Sequence, residues 1–236
     1  MNTVEKLTYS LTNFYYQMKN IPNHRYLSWE HCYSRFIKAR SKKNYDIDNL
    51  SLHLSFYLAS WGMYRGSSFL LQRDYKVHCP IVEEILKPEY DVLVALNFED
   101  LLNNKNKQQE MLKKLSDKLT SIYGKIRKDV IQKEIKKDAS SVLLTKVLLG
   151  TLACTPAYDR FFVDAIKSEK ITTGNYNLCS MLGLAEFYQE HSEDFEKVRK
   201  IMRLVDGTIY LQMKFIDMGL WKIGFENSPE FKANKK

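Results

Sequence analysis

Apolar residues recur at spacings of three and four along almost the whole chain, which is the period of a helix with one buried face. Serine or aspartate before an apolar run, and proline in a first turn, mark where several of these helices begin. The predicted helices cover about 3–19, 28–40, 49–72 (capped by Asp48), 107–137, 141–152, 158–167, 175–190 and 193–224 (interrupted near Gly207), with two shorter ones in HCPIVEEILK and EYDVLVALNFEDLL. We therefore predict an all-α protein, a single compact multi-helix bundle of about eight or nine helices.

The chain length of 236 residues suits one large domain or two small ones, with a substantial core in either case. Only 9 glycines and 5 prolines are present, which disfavours a turn-rich β-sandwich or barrel. We predict one all-helical domain over 1–236, and any subdivision should fall in the polar stretches near 103–108 or 137–140.

The charge balance is basic, with 36 Lys and Arg against 28 Asp and Glu and a formal net charge of +8. Such a balance favours a polyanionic partner, either nucleic acid or an acidic membrane surface. The alternative is that the charge is spread over solvated helix faces without a partner. We expect a nucleic-acid partner, DNA or RNA, and no membrane partner, and leave a protein partner open.

The cysteines and the hydropathy pattern indicate a cytoplasmic protein. The four cysteines (Cys32, Cys79, Cys154 and Cys179) form no C-x-x-C pair, which disfavours a zinc site and a disulfide framework and suits a reducing compartment. No run of 18 apolar residues occurs, so we expect no membrane-spanning helix. Phosphate-loop, dinucleotide and metalloprotease motifs are absent, and we predict no cofactor and no metal site.

The stretch TKVLLGTLACTPAYDRFF places Lys146 on an apolar helix and Asp159 at the start of the next one. A chain reversal at Thr155-Pro156 would bring the amine near the carboxylate. The amine could then attack an electrophilic carbon while the carboxylate stabilises positive charge. The structural alternative is a lysine whose stem is buried and whose head is wet, beside an aspartate favoured by the helix dipole or paired with Arg160.

This stretch resembles the helix-hairpin-helix DNA glycosylase superfamily and its uncharacterised bacterial relatives, in which a helical lysine, a proline-containing loop and a helix-opening aspartate follow one another. FYLASWGMYRGSSFLL is similar to a Trp-x-Met-x-x-Gly stretch of those relatives, and the resemblance covers about forty residues. It implies that Lys146 attacks the sugar C1′, or that Asp159 stabilises an oxocarbenium-like state, with the base flipped against aromatic rings. The glycine-rich hairpin of the superfamily is missing from KKDASSVLLTK, and the Lys-to-Asp interval of 13 positions is shorter than in its well-known lyases.

The segment RDYKVH looks like the R-x4-H motif of the all-helical HEPN ribonucleases. This resemblance implies metal-independent RNA cleavage, in which His78 is the general base and Arg73 stabilises phosphate charge. Two residues at a loose spacing also match by chance in a basic chain.

Aromatic and basic residues are interleaved in HRYLSWEHCYSRF and SWGMYRGSSF, which suggests a surface for unpaired or flipped bases. The alternative is that the aromatics fill a core and the small residues allow close helix packing. The predicted ligand-binding residues are Trp29, His31, Trp61, Arg65, Tyr158 and Arg160.

The leading functional hypothesis is a nucleic-acid-acting protein on a degenerate glycosylase-like scaffold, which excises a flipped base with Lys146 and Asp159. A second hypothesis is a non-catalytic module that binds nucleic acid or protein through the charged 107–137 helix and the aromatic clusters. The third is the HEPN-like ribonuclease. Whether the chain is an enzyme is left open between them.

Overall fold

The computed structural model describes residues 1–43, 45–103, 107–131 and 140–233. The regular structure in these ranges is helical, and the only β-type pairing there is an isolated bridge between Arg203 and Ile209. The prediction of an all-α protein is confirmed.

The described residues form twelve α-helices and four short 3-10 helices. The α-helices are α1 (Thr3–Asn20), α2 (Ser28–Lys42), α3 (Ile47–Ser60), α4 (Cys79–Ile85), α5 (Phe98–Leu102), α6 (Lys107–Ile131), α7 (Ser141–Thr151), α8 (Arg160–Ser168), α9 (Leu178–Glu190), α10 (Ser192–Arg199), α11 (Gln212–Asn227) and α12 (Pro229–Ala233). The 3-10 helices are Arg25–Leu27, Phe69–Gln72, Tyr75–His78 and Pro88–Leu93. The count exceeds the predicted eight or nine because α12 was not predicted and the segment predicted over 193–224 contains two helices.

The long helix predicted over 49–72 is shorter in the structure, where α3 starts at Ile47 and ends at Ser60. Asp46, rather than Asp48, is the N-cap, and its carboxylate accepts a hydrogen bond of 3.0 Å from the Asn49 amide. Gly62 follows the helix with a φ of 77°, a left-handed conformation that glycine adopts without a steric penalty. Apolar residues continue beyond this turn, so the hydrophobic pattern alone does not mark the helix end.

Three other predicted helices differ from the structure. EYDVLVALNFEDLL contains a 3-10 helix, a left-handed residue at Ala95, and then the short helix α5, which Asn97 caps. The segment predicted over 193–224 is divided into α10 and α11, with the expected interruption at Gly207. The helix predicted over 107–137 corresponds to α6, which extends to Ile131. Residues 132–137 lie outside the described residues.

The chain divides into two compact units. The first unit consists of Met1–His24, Ala95–Asn106 and Thr155–Lys236, and the second unit consists of Arg25–Val94 and Lys107–Cys154. One of their boundaries falls inside the predicted 103–108 segment. In the other predicted segment, 137–140, residues 137–139 lie outside the described ranges.

Each unit has its own core. In the first unit α11 packs against α1 and α8, and Gly219 and Gly224 allow the close approach of Leu7 and of the Phe161 backbone. In the second unit α3 and α7 pack on α2, and Trp29, Phe36 and Tyr57 are fully or almost fully buried. Among the described helices, none has the length and apolar character needed to cross a bilayer.

Candidate functional site

Lys146 lies in the interior of the second unit. Ser140 caps α7 through a hydrogen bond from the Leu143 amide, and the helix that follows is buried on nearly all sides. The Lys146 side chain is only 2% exposed, and its Nζ lies 4.7 Å from the centroid of the Trp61 ring. A cation over an indole face is electrostatically favourable, and more so away from water.

Two further side chains continue this arrangement outward. Tyr26 stacks on Trp61 with ring centroids 4.6 Å apart and an interplanar angle of 26°. The Arg25 guanidinium lies 4.6 Å from the Tyr26 centroid. Arg25, Tyr26, Trp61 and Lys146 therefore form a layered stack, here called the Lys146 stack, that runs from an exposed arginine to a buried lysine. The structure thus brings together two of the predicted site residues, Lys146 and Trp61.

Trp29 and Arg65 have structural contacts of their own in the second unit. Trp29 is fully buried, stacks on Tyr33, and donates a hydrogen bond of 2.9 Å from Nε1 to the Leu149 carbonyl oxygen of α7. This bond ties α2 to α7, which favours the packing interpretation of the tryptophan. Arg65 is exposed and its guanidinium lies against Gly62.

The other predicted site residues belong to the first unit. Asp159 is the N-cap of α8 and accepts a hydrogen bond of 3.2 Å from the Phe162 amide. Tyr158 is 2% exposed, its hydroxyl lies 3.0 Å from Ser180 Oγ, and burial raises its pKa. Arg160 forms an exposed ion pair with Glu230 at 2.7 Å. Lys146 and Asp159 are therefore each held by a different unit.

His78 is placed where it cannot meet a substrate, contrary to the role suggested by the RDYKVH motif. It is fully buried, and its ring nitrogens lie 2.7 Å from the Tyr64 hydroxyl and 2.9 Å from the Tyr123 hydroxyl. A neutral imidazole has one donor and one acceptor nitrogen, so both hydrogen-bonding positions are used. Burial lowers the pKa of His78 to about 3. Arg73, in contrast, is exposed. A fully buried histidine and an exposed arginine do not form the catalytic pair that the ribonuclease hypothesis requires, so the geometry does not support that hypothesis.

The second unit carries a row of exposed basic residues that the motif search did not single out. His31, Arg35, Lys38 and Lys42 follow one another at i, i+4, i+7 and i+11 on α2, and all four are exposed. This spacing keeps them on one face of the helix over about 16 Å. We call them the basic α2 stripe. Its spacing was readable in the sequence, although only His31 was among the predicted site residues.

An exposed apolar face of α3 lies beside the basic α2 stripe. Phe56 is 62% exposed and Leu52 is 49% exposed, one turn apart on the helix. A groove of about 220 Å³ is lined by Arg35, Lys38 and Lys42 from α2 and by Asp46 and Asn49 at the start of α3, together with Ala39 and Leu50. The basic α2 stripe together with Leu52, His53 and Phe56 is called the α2–α3 surface below.

His53 of α3 interacts electrostatically with two residues of the basic α2 stripe. Burial lowers the pKa of His53, and the positive charges of Arg35 and His31 lower it further. Three side chains that carry or can take up a proton therefore lie near one another. An anion bound among them would be attracted by Arg35 and would favour the protonated form of His53.

The net charge of the chain is confined to the unit that carries this surface. The second unit contains 21 Lys and Arg against 13 Asp and Glu, a net charge of +8, whereas the first unit contains 15 of each and has none. The described residues contain no cluster of three or more His, Cys, Asp or Glu that could hold a metal ion. No protein-family model, curated protein or solved structure matches the chain.

Proposed function

We propose that the second unit binds nucleic acid through the α2–α3 surface. The observation that supports this proposal most strongly is that the whole net charge of the chain, +8, belongs to this unit. Lysine and arginine that neutralise phosphates release the counterions condensed on a nucleic acid, which is the main source of sequence-independent affinity.

Within the described ranges, three exposed cations of α2 pair with no carboxylate, whereas two of the exposed lysines of α6 do. Among the described residues, Arg35, Lys38 and Lys42 take part in no ion pair, so their charges remain available to a ligand. On α6, by contrast, Lys113 pairs with Asp117 at 3.2 Å and Lys114 pairs with Glu89 at 2.9 Å. A partner that bound those two lysines would first have to compete with carboxylates of the chain.

Base excision through Lys146 and Asp159 stays a prediction and is not part of this proposal. An amine that is 2% exposed beneath Trp61 would need the Lys146 stack to open before it could reach a sugar carbon. Binding at the α2–α3 surface requires no such change, because its cations are already exposed.

The proposal is tested with the whole protein, fluorescent oligonucleotides and a salt titration. We compare the unaltered chain with a triple variant, Arg35→Gln, Lys38→Gln and Lys42→Gln. If each cation contacts one phosphate, the variant loses about 100-fold in affinity for a single strand at 0.1 M salt. The slope of log affinity against log salt concentration falls in magnitude by about 2.

A matched control removes the same charge from the first unit. Lys167, Lys170 and Lys200 are exposed there, and their replacement by glutamine should leave the affinity almost unchanged. An equal loss in both triple variants would mean that only the total charge matters and would refute the proposed surface. Binding to acidic phospholipid vesicles without binding to any oligonucleotide would replace nucleic acid by a membrane as the partner.

A further inference from the structure

The α2–α3 surface offers a feature that phosphate binding alone does not use, which is the exposed ring of Phe56. The opposite side of α3 is packed into the core, where Leu54, Tyr57 and Leu58 are at most 1% exposed. Phe56, in contrast, is 62% exposed, and Leu52 beside it is 49% exposed. The helix therefore has a second apolar face that no described residue covers.

The position of Phe56 relative to the basic residues indicates which kind of ligand this face could bind. Phe56 is three residues from His53, so the two side chains are neighbours on the helix surface. Arg35 and Asn49 line the same groove between α2 and α3. Asn49, His53 and Phe56 follow one another at i, i+4 and i+7 on one face of α3. A ligand whose phosphate meets the Arg35 guanidinium therefore has another of its groups close to the Phe56 ring.

The ligand that matches this combination is a nucleic acid with unpaired bases. A duplex presents phosphates on its outside and keeps its base planes stacked inside, so a phenylalanine on a phosphate-binding surface gains little from it. A single strand presents both a phosphate and the face of a base, and base–aromatic stacking contributes about 1–3 kcal/mol per base. Phenylalanine has no hydrogen-bonding group with which to read a base edge, so the contact tolerates any sequence.

From this geometry we infer that the α2–α3 surface selects single-stranded over double-stranded nucleic acid, and that Phe56 stacks on an unpaired base while Arg35 contacts a neighbouring phosphate. The inference rests on the proposed function. It adds a ligand class and a residue that sets the preference between strands. Leu52, one turn from Phe56, contacts the same or the next base by its side chain.

The test measures the binding of a labelled oligothymidylate and of a labelled hairpin duplex to Phe56→Ala. We expect the variant to lose about tenfold in affinity for the single strand and to keep its affinity for the duplex. Phe56→Tyr keeps an aromatic ring and should retain single-strand binding. The matched control is Tyr9→Ala, which removes an aromatic side chain of 63% exposure from the first unit and should change neither affinity.

The outcomes separate this inference from the proposed function. Equal losses for both ligands in Phe56→Ala, no loss for either, or a loss in Phe56→Tyr as large as in the alanine variant would overturn single-strand selection by stacking. The proposed function would still stand in those cases if the triple glutamine variant of α2 lost affinity. If that triple variant binds as tightly as the unaltered chain, the proposed function fails first. Far-ultraviolet circular dichroism checks that every variant is folded.

Discussion

The two units are both helical but differ in net charge and in where their charged residues lie. The first unit has equal numbers of acidic and basic residues and buries an ion pair, in which Lys214 Nζ lies 2.6 Å from Asp217 Oδ2. The second unit carries the entire net charge of the chain, with an unpaired basic stripe on its surface and a neutral histidine in its core. The first unit thus buries both partners of an ion pair, whereas the second unit has a surplus of cations and presents a row of basic residues on one exposed face of α2.

The buried ion pair also fixes the backbone directly after Thr155-Pro156. Asp217 accepts a hydrogen bond of 2.9 Å from the Ala157 amide, directly after the proline, while its other oxygen pairs with Lys214. One carboxylate of α11 thus fixes the segment that leads into α8. The polar turn that looks out of place in the sequence is held by a side chain about 60 residues further along.

The largest expected effect comes from breaking this pair in the first unit. Asp217→Ala should lower the free energy of unfolding by about 4 kcal/mol, because it leaves the Lys214 ammonium buried without its carboxylate and the Ala157 amide without its acceptor. Chemical denaturation measures the change. Asp164→Ala, on the exposed side of α8, is the control and should cost less than about 0.5 kcal/mol. A cost below about 1 kcal/mol for Asp217→Ala would show that the pair does not hold the segment.

A second comparison uses one helical glycine from each unit. A Cβ on Gly224 of α11 would overlap the backbone carbonyl of Phe161, which cannot move without shifting α8. A Cβ on Gly150 of α7 would overlap only the ring of Tyr57. We expect Gly224→Ala to cost about 3 kcal/mol and Gly150→Ala about 1.5 kcal/mol in unfolding free energy. The reverse order would contradict the backbone contact between α8 and α11.

The neutral histidine makes stability sensitive to acid. Its pKa is about 6.5 when unfolded and about 3 when folded, so between these values the unfolded chain binds one more proton and stability falls with falling pH. From pH 7.5 to pH 5 the loss attributable to His78 is about 2 kcal/mol. Unfolding curves at the two pH values measure it. In His78→Gln this part of the pH dependence should disappear, and its full persistence would assign the effect to other groups.

The smallest expected effect concerns the reactivity of Lys146. Because its amine is beneath Trp61, a water-soluble amine reagent should leave Lys146 unmodified in the folded protein while it labels exposed Lys125 on α6. As long as the Lys146 stack stays closed, no borohydride-trapped adduct with abasic-site DNA forms. Peptide mass spectrometry measures both. An adduct on Lys146 would instead support the base-excision hypothesis and would show that the Lys146 stack opens.

The fold class was predictable because helix periodicity is a local property. Helix α1 begins where it was predicted and is capped by Asn2, whereas α2 begins at the predicted Ser28 although that serine does not cap it and Leu27 precedes the helix. The end of α3 was missed because the apolar pattern continues through the left-handed turn at Gly62. No local signal distinguishes an apolar 3-10 segment from another helical turn.

The candidate site was less predictable because burial is a property of the tertiary structure. The sequence shows that His78 follows Arg73 at a ribonuclease-like spacing, but only the packing of Tyr64 and Tyr123 around it makes it a core residue. The stripe from His31 to Lys42 was visible as a spacing on α2. The exposed face of α3 beside it depends on how the two helices pack, and sequence spacing does not contain that information.

Amine labelling with and without bound oligothymidylate shows whether the ligand contacts the lysines of α2 in the second unit. Peptide mass spectrometry then reports the modification of each lysine in the whole protein. We expect bound oligonucleotide to reduce strongly the labelling of Lys38 and Lys42 and to leave that of Lys167 and Lys170 in the first unit unchanged. Protection of the first-unit lysines, or a complex in which Lys38 and Lys42 react as in the free protein, would contradict this expectation.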